Sequence, residues 1–364
     1  MKTDLASAIP RLKKLLPAFH KVRVAVLGDL MLDRYLWGDA HRLSPEAAVP
    51  VVDFVSQSDF PGGAGNVATN LAALGAHVQV FGVLGGRRLS SHKVVDDESA
   101  AALRAGLRRA HISERTVLAD PQRITTVKTR VIARHQQIVR IDHERSDALS
   151  PQSEEKLFRL LVASLKATDA LLISDYDKGV IGEAFAERVL HACHKFKVPV
   201  FVKPKTSRLY AYRGARAIVC NAKEAGVYAT LVLSDEKSVE EAGRALLARF
   251  GSAAIVITRG EKGMSVFEES SPRHVHIPAT SFEVTYARVG KSAVEHKTSG
   301  QQVFDVTGAG DTVLSVLSVA VAAGASLPEA ALLANAAAGI VVRKLGTATV
   351  GPAELADGLH EIHG

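Results

Sequence analysis

Short apolar, β-branched runs alternate along the chain with longer stretches of helical period. Val22–Leu27 is an apolar run closing on Gly28, the pattern of a buried strand. Asn66–Leu74 is Ala-rich and stops at Gly75, as a helix with a glycine end does. Val78–Val83 reads as the next strand. Ala170–Ser174 and Val198–Val202 read as strands around a helix over Glu183–Lys195. Strands at Ile218–Cys220 and Ala254–Thr258 continue the order, with helices at Val239–Arg249, Thr312–Ala323 and Pro328–Arg343. This order predicts an α/β fold, a doubly wound and mainly parallel sheet flanked by helices, filling one domain over residues 1–364. Ligands of such sheets bind beyond the carboxyl ends of the strands.

Two stretches, 34–60 and 124–142, carry strand-forming residues with no helix between them. Val49–Val55 and Thr125–Asp142 are rich in β-branched residues, with a polar tip at His135–Gln137. They predict a small antiparallel sheet beside the main one, a lid too thin to bury a core alone. Its surplus apolar residues, Val51, Val52, Val131 and Ile138, predict a homodimer formed through the lid strands. Polar insertions at 85–99 and 283–302 read as exposed, mobile loops.

Composition narrows the class. Of 364 residues, 47% are apolar and 23% charged, which is globular and excludes a wholly disordered chain. Aromatics are only 5%, too few for single-strand nucleic-acid stacking platforms. The net charge of +7 is spread along the chain and favours anionic small ligands such as phosphates over nucleic acid. Cys193 and Cys220 form no metal-spaced pair, and Met1–Pro17 has no signal-peptide core. No run of about 18 apolar residues appears. A cytoplasmic protein with no membrane partner is expected.

The strongest chemical signal is Asp305–Thr312, a D-x-x-G-A-G-D-T string running into an apolar helix. Gly308 and Gly310 let successive N–H groups, those of Gly310, Ala309 and Asp311, face one anion at a helix N-terminus. Asp311 then stands in the first turn, where a carboxylate can take the proton of an attacking hydroxyl. The other reading of the octapeptide is a glycine turn with Asp as a helix cap. A second signal is Gly62–Asn66. Its glycines match a dinucleotide fingerprint in spacing, but Pro61 and Ser56–Asp59 separate them from a strand, and no acidic residue follows about 20 positions on. A turn whose backbone approaches a polyol, with Asn66 as a two-way hydrogen-bonding group, fits better. Asp29 and Asp33 follow the first strand, either as readers of substrate hydroxyls or as solvated loop acids. Gly290–Ser292 ends like a P-loop but lacks the required upstream glycine, and His191 with His194 lacks a third metal ligand.

Together these residues resemble the ribokinase-like, PfkB-type carbohydrate kinases, over roughly Val22 to Leu355. Gly62–Gly63 is similar to that family's first signature and Asp305–Thr312 to its second. The resemblance implies ATP as phosphoryl donor, Mg²⁺ as cofactor, Asp311 as catalytic base, and Gly308, Ala309 and Gly310 as the anion hole. It places Asn221, Ala222, Lys223 and Glu224 on the Mg²⁺–phosphate side, with Glu224 toward the metal, directly or through water. Lys205, Thr258, Gly260, Gly263 and Asn335 then belong to the nucleotide site. Within the family, the strings 28–35, 42–52, 128–130, 136–137, 140–142, 174–179 and 344–347 are similar to those of kinases of heptose 7-phosphate. That resemblance implies transfer to the C1 hydroxyl of a phosphorylated sugar, in ADP-heptose synthesis. Asp29, Asp33, Gly62, Gly63, Asn66, Gln136 and Asp175 would face the sugar, and Arg34, Arg130 and Lys178 its distal phosphate; a salt bridge is the competing role for each of these three cations.

Departures from the family pattern bear on activity. Lys203 stands where an aspartate is common, a change of two charges beside phosphate and metal. The chain ends at Gly364, soon after the kinase fold would close, so the nucleotidyltransferase module related to these kinases is expected to be absent. Two other functions stay open: another ribokinase-like sugar kinase, and a non-catalytic sugar-phosphate or nucleotide sensor.

Overall fold

The computed structural model describes residues 5–90, 93–134, 136–204, 209–280, 306–344 and 346–359. Its elements begin α1 (Ile9–Leu15), β1 (Arg23–Gly28), β2 (Leu30–Leu43), β3 (Pro50–Gly63), α2 (Ala64–Ala73), β4 (His77–Ser90), β5 (Lys93–Asp96) and α3 (Glu98–Arg109). They continue β6 (Val117–Asp120), β7 (Thr126–Ala133), β8 (Gln136–His143), α4 (Pro151–Leu165), β9 (Ala170–Ser174), α5 (Glu183–Phe196) and β10 (Val200–Lys203). Then follow β11 (Ala217–Asn221), α6 (Ala222–Ala229), α7 (Glu236–Phe250), β12 (Ala254–Thr258), β13 (Met264–Glu268), β14 (Val275–Ile277), α8 (Ala309–Ala322), α9 (Leu327–Val341) and α10 (Pro352–Gly358). The chain divides into two compact units: an amino-terminal one of residues 23–72 and 77–213, and a carboxy-terminal one of 1–22, 73–76 and 214–364.

In the amino-terminal unit, β1 pairs in parallel with β4 on one side and β9 on the other, and β9 with β10. All of β9, and β1 from Val24 onward, are buried. A parallel sheet covered on both faces needs such continuous apolar runs, so these strands were the easiest to read. Helix α4 packs on β1, β4 and β6, and α5 on α4.

The lid is present as a separate sheet in the order β3-β2-β7-β8. β2–β3 and β7–β8 are antiparallel, but the central pair β2–β7 is parallel. The expected all-antiparallel lid is thus corrected: β7 arrives from β6 and α3, and a strand reached by a crossover joins parallel. The expectation of an exposed loop over 85–99 is also corrected. Strand β4 runs on to Ser90, β5 returns antiparallel along it, and the Asp97 side chain caps α3 by accepting the Ala100 N–H at 2.7 Å. Gly85 is buried there, and a Cβ on it would stand 2.4 Å from the Thr125 nitrogen, so the close approach requires glycine. The second insertion, 283–302, together with Gly290–Ser292, lies outside the described residues.

In the carboxy-terminal unit, β11 pairs in parallel with β12, and β12–β13–β14 form an antiparallel meander. Helix α8 is buried continuously from Asp311 to Ala320 and packs on α9 and β11. A helix apolar all round belongs inside a core. Helix α9 starts with a Ser326–Glu329 capping box, and Glu329 also pairs with Arg11 of α1. Among the described residues, no helix is long and apolar enough to cross a membrane.

Gly28 sets how closely β1 approaches β9: a Cβ there would stand 2.1 Å from the Ser174 carbonyl oxygen. We predict that Gly28→Ala lowers unfolding stability by about 1–3 kcal/mol through this overpacking. Urea denaturation of the two proteins checks it, and an unchanged midpoint would contradict it.

Candidate active site

The amino-terminal unit gathers its polar groups just beyond β1. Ala64 N–H donates to the Asp29 carbonyl at 2.9 Å, so α2 begins where β1 ends. Gly63 lies at φ 58°, and a Cβ on it would stand 2.4 Å from that same carbonyl oxygen. A Cβ on Gly62 would stand 2.1 Å from Asp33 Oδ2, so only glycine admits the carboxylate there. Asp33 is buried and accepts from Arg130, which lies over the Tyr35 ring at 5.3 Å. Asn66 is buried in the first turn of α2, its Oδ1 3.2 Å from Asn70 Nδ2.

Asp29 is placed differently from the expected reader of hydroxyls. Its Oδ2 accepts the N–H groups of Tyr176 (2.7 Å) and Lys178 (3.1 Å), and Oδ1 that of Val180 (3.2 Å). Burial, with the neighbouring Asp175 carboxylate second, pushes its pKa up to about 6 against the pull of those three donors. This carboxylate serves the loop after β9. Asp175 is buried likewise, accepting from the Tyr212 hydroxyl and from Asp177 N–H at 2.9 Å.

The three cations expected to grip a phosphate are all ion-paired. Arg34 forms a bidentate pair with Asp59 at 2.9 and 3.0 Å. Arg130 pairs with Asp33, and Lys178 with Glu144 at 2.7 Å. Glu144 also accepts from Lys128, whose second partner Asp142 holds Arg140, so a ladder of alternating charge runs from the loop onto the lid. Those cations hold Asp142 and Glu144 below the usual carboxylate range, against a desolvation that works the other way. Gln136 lies exposed at the start of β8. Lys203 meets Tyr176, its Nζ 3.3 Å from the phenol oxygen and 5.4 Å from the ring centroid.

An aromatic group beside Asp33 was not singled out from the sequence. Tyr35 stacks on Trp37 and meets Phe60 edge-on, both at 5.8 Å between centroids. The signal was available: Asp33, Tyr35 and Trp37 stand two apart and so share one face of β2, with Phe60 opposite Asp33 on β3. No sequence signal tied Tyr212 to Asp175, 37 positions away.

In the carboxy-terminal unit, Gly308 takes φ 82° as the N-cap of α8, and Asp311 is buried in the first turn. The N–H groups of Ala309 and Asp311 donate within the turn, to Val306 O at 3.3 Å and Gly308 O at 2.9 Å. The expected anion hole, three donors aimed at one point, is therefore partly occupied by the turn itself. Asn221 and Glu224 form a reciprocal capping box at the start of α6, at 2.8 and 2.9 Å, with Ala222 and Lys223 between them. Mg²⁺ commonly keeps several waters and takes only one or two carboxylates beside substrate phosphates, and a half-buried Glu224 at a helix start fits that demand. Among the described residues, no cluster of three His, Cys, Asp or Glu could hold a metal by itself. Thr258 ends β12, and the turn after it carries Gly260 at φ 58° and Gly263 at φ 78°. Asn335 donates to Pro278 O at 2.8 Å. Lys205 and Asp305 lie outside the described residues.

Comparison with known proteins agrees with this arrangement. The pfkB family carbohydrate kinase model matches residues 21–354. A bifunctional protein HldE of Geotalea uraniireducens is 44% identical over 336 residues, covering 92% of this chain. The chain spans only 62% of that relative's length. Phosphofructokinase-2 of Escherichia coli superposes with a TM-score of 0.72 at 15% identity, covering 94% of this chain and 99% of its own. Arabidopsis thaliana ribokinase, solved with ribose and ATP, gives 0.67 at 16%, covering 93% and 98%. At such identities the two structures speak for the fold alone. The family match over nearly the whole chain, with Gly62–Gly63 and Gly308–Asp311 in place, shows that this chain belongs to the pfkB family of carbohydrate kinases.

Proposed function

We propose that this chain moves the γ-phosphoryl group of ATP onto the C1 hydroxyl of a heptose 7-phosphate, a step toward ADP-heptose. The observation that carries the reading is Asp311, a buried carboxylate in the first turn of α8 directly after the left-handed Gly308. Asp311 takes the proton of the attacking hydroxyl. The α8 N-terminus, with the Gly308–Asp311 backbone, favours the charge on the moving phosphoryl. Mg²⁺, when bound, neutralises phosphate charge, and Asn221 with Glu224 serves that side through water. Thr258, Gly260, Gly263 and Asn335 serve the nucleotide. Asp33, Gly62, Gly63 and Asn66 read the sugar hydroxyls, with Tyr35, Trp37 and Phe60 offering ring faces and edges to its C–H groups.

The phosphorylated end of the sugar goes to the lid cations. Arg34 and Lys178 already hold carboxylates, so phosphate binds by exchanging those partners rather than meeting bare charge, while Arg130 keeps the buried Asp33 and adds its remaining donors. Exchange suits specificity: a neutral sugar offers nothing to replace Asp59 or Glu144.

The lid also supports a homodimer. Its uncovered apolar residues include Leu43 at 67% exposed, Phe54 and Val55 at 65%, Ile141 at 56%, Val139, Phe60 and Ile138. Val51, Val52 and Val131, expected to be surplus, are half-buried. Strand β8 is exposed along its length and forms one edge of the lid sheet, so a second lid would cover apolar surface and pair an open edge together.

Two outcomes are predicted. Asp311→Asn lowers phosphoryl transfer by ~10²–10⁴ while ATP affinity, measured by calorimetry, stays within a few-fold. A variant retaining wild-type kcat would remove Asp311 as the base. Sedimentation at micromolar concentration gives a dimer for the wild type and a monomer for Phe54→Asp/Ile141→Asp. A fully active wild-type monomer would end the lid-dimer reading.

A further inference from the structure

The loop between β9 and α5 turns sharply and is held from several sides. Asp177 sits at φ 57° and Gly179 at φ 83°, two left-handed positions within three residues. Glycine and aspartate are among the residue types that take this region as single residues, and the surroundings then fix which conformation the loop keeps. Those surroundings reach every side of the loop. Asp29 takes the N–H groups of Tyr176, Lys178 and Val180, using both carboxylate oxygens. The Lys178 carbonyl accepts from the Arg123 guanidinium, which also donates to Asp147 O at 2.7 Å. The Gly179 carbonyl accepts from Leu149 N–H at 3.2 Å. A Cβ on Gly179 would stand 1.9 Å from Asp147 O, so the backbone is closed in there as well.

The loop in turn presents Lys178 to Glu144, which joins Lys128 of the lid strand β7. A continuous polar chain therefore leads from the end of β1, through the loop, to the lid cations. We propose that Asp29 and Arg123 are positioning residues: they touch no substrate, and by fixing the backbone of residues 176–180 they set where Lys178 and the lid ladder meet the phosphorylated sugar. Asp29 is the acceptor and Arg123 the donor of one clamp. Burial lowers the Arg123 pKa against the pull of Asp29, Asp120 and Asp147. The charged or titratable groups around Asp29 are Asp175 at the end of β9, Tyr176, Asp177 and Lys178 in the loop, Arg123 before β7, Asp147 before α4, Lys203 at the end of β10, and Tyr212. Asp29 ionises at about pH 6, so the clamp is complete above that pH and loses an acceptor below it.

The inference rests on the sugar-phosphate kinase reading, and its test separates the two. Amide hydrogen exchange and steady-state kinetics are measured on the wild type, Asp29→Asn and Arg123→Gln, with ATP and heptose 7-phosphate. In Asp29→Asn the Tyr176, Lys178 and Val180 amides are expected to exchange at least about 10-fold faster, while those of β1 and β9 keep their protection. KM for the sugar phosphate rises about 10-fold or more, with kcat and the ATP KM within about 3-fold. The sugar phosphate itself titrates near pH 6, equally for every protein. The wild type should therefore show an additional rise in KM as pH falls through 6, absent from Asp29→Asn. Arg123→Gln, which leaves the Asp29 acceptor intact, raises the same KM and keeps the pH-dependent rise; it carries the test if Asp29→Asn does not fold. Wild-type exchange and wild-type KM in the variants would overturn the clamp. A wild type that turns over no sugar phosphate would overturn the reading beneath it.

Discussion

Close backbone approach at the carboxyl end of β1 is the constraint on which the amino-terminal unit depends. Gly28 lets the chain pass the Ser174 carbonyl, and Gly62 lets it pass the Asp33 carboxylate; a side chain at either would stand 2.1 Å from an oxygen. Without those contacts β1 could not lie against β9, nor β3 return beside β2, nor α2 begin on the Asp29 carbonyl. One point thus joins the main sheet, the lid sheet and a buried helix. The buried polar groups Asp33 and Asn66 lie at that point.

Electrostatics then sorts acids that look alike in sequence. Asp29 and Asp33 are four residues apart, yet one ends a strand and collects backbone N–H groups while the other sits within β2 and collects a guanidinium. Both are buried, and a buried charge without a partner costs several kcal/mol. Each must therefore be matched, and the matching group decides its role. Removing one partner of the Arg130–Asp33 pair should cost about 3–5 kcal/mol, because the other charge stays behind. The exposed lid pairs, such as Arg140–Asp142, contribute far less to stability.

Much of this was legible in the chain. The buried strands β1, β9 and β12 stand out because covered parallel strands are apolar on both faces. The Gly308–Asp311 turn stands out because its spacing has few other uses. Helices α3 and α4 were not marked: their charged faces, as in Glu98–Arg109, dilute the apolar period, and α3 follows a stretch whose glycines mimic a loop. Gly85 and Gly86 lie inside β4, where the glycine serves close approach rather than a turn. The parallel junction β2–β7 was illegible because alternation sets which face a residue takes, not the direction of its partner. The clamp on the 176–180 loop was hidden too, since Asp29 lies 147–151 positions from the amides it holds.

In the proposed reaction, a second phosphoryl group arrives at C1 of a sugar already phosphorylated at its far end. Two-dimensional proton–phosphorus NMR of the product formed from ATP and heptose 7-phosphate tests it directly. One new phosphorus resonance coupled to the anomeric proton, appearing in step with ADP, is expected. ADP without that resonance, or a new phosphorus coupled to any other sugar proton, would contradict it.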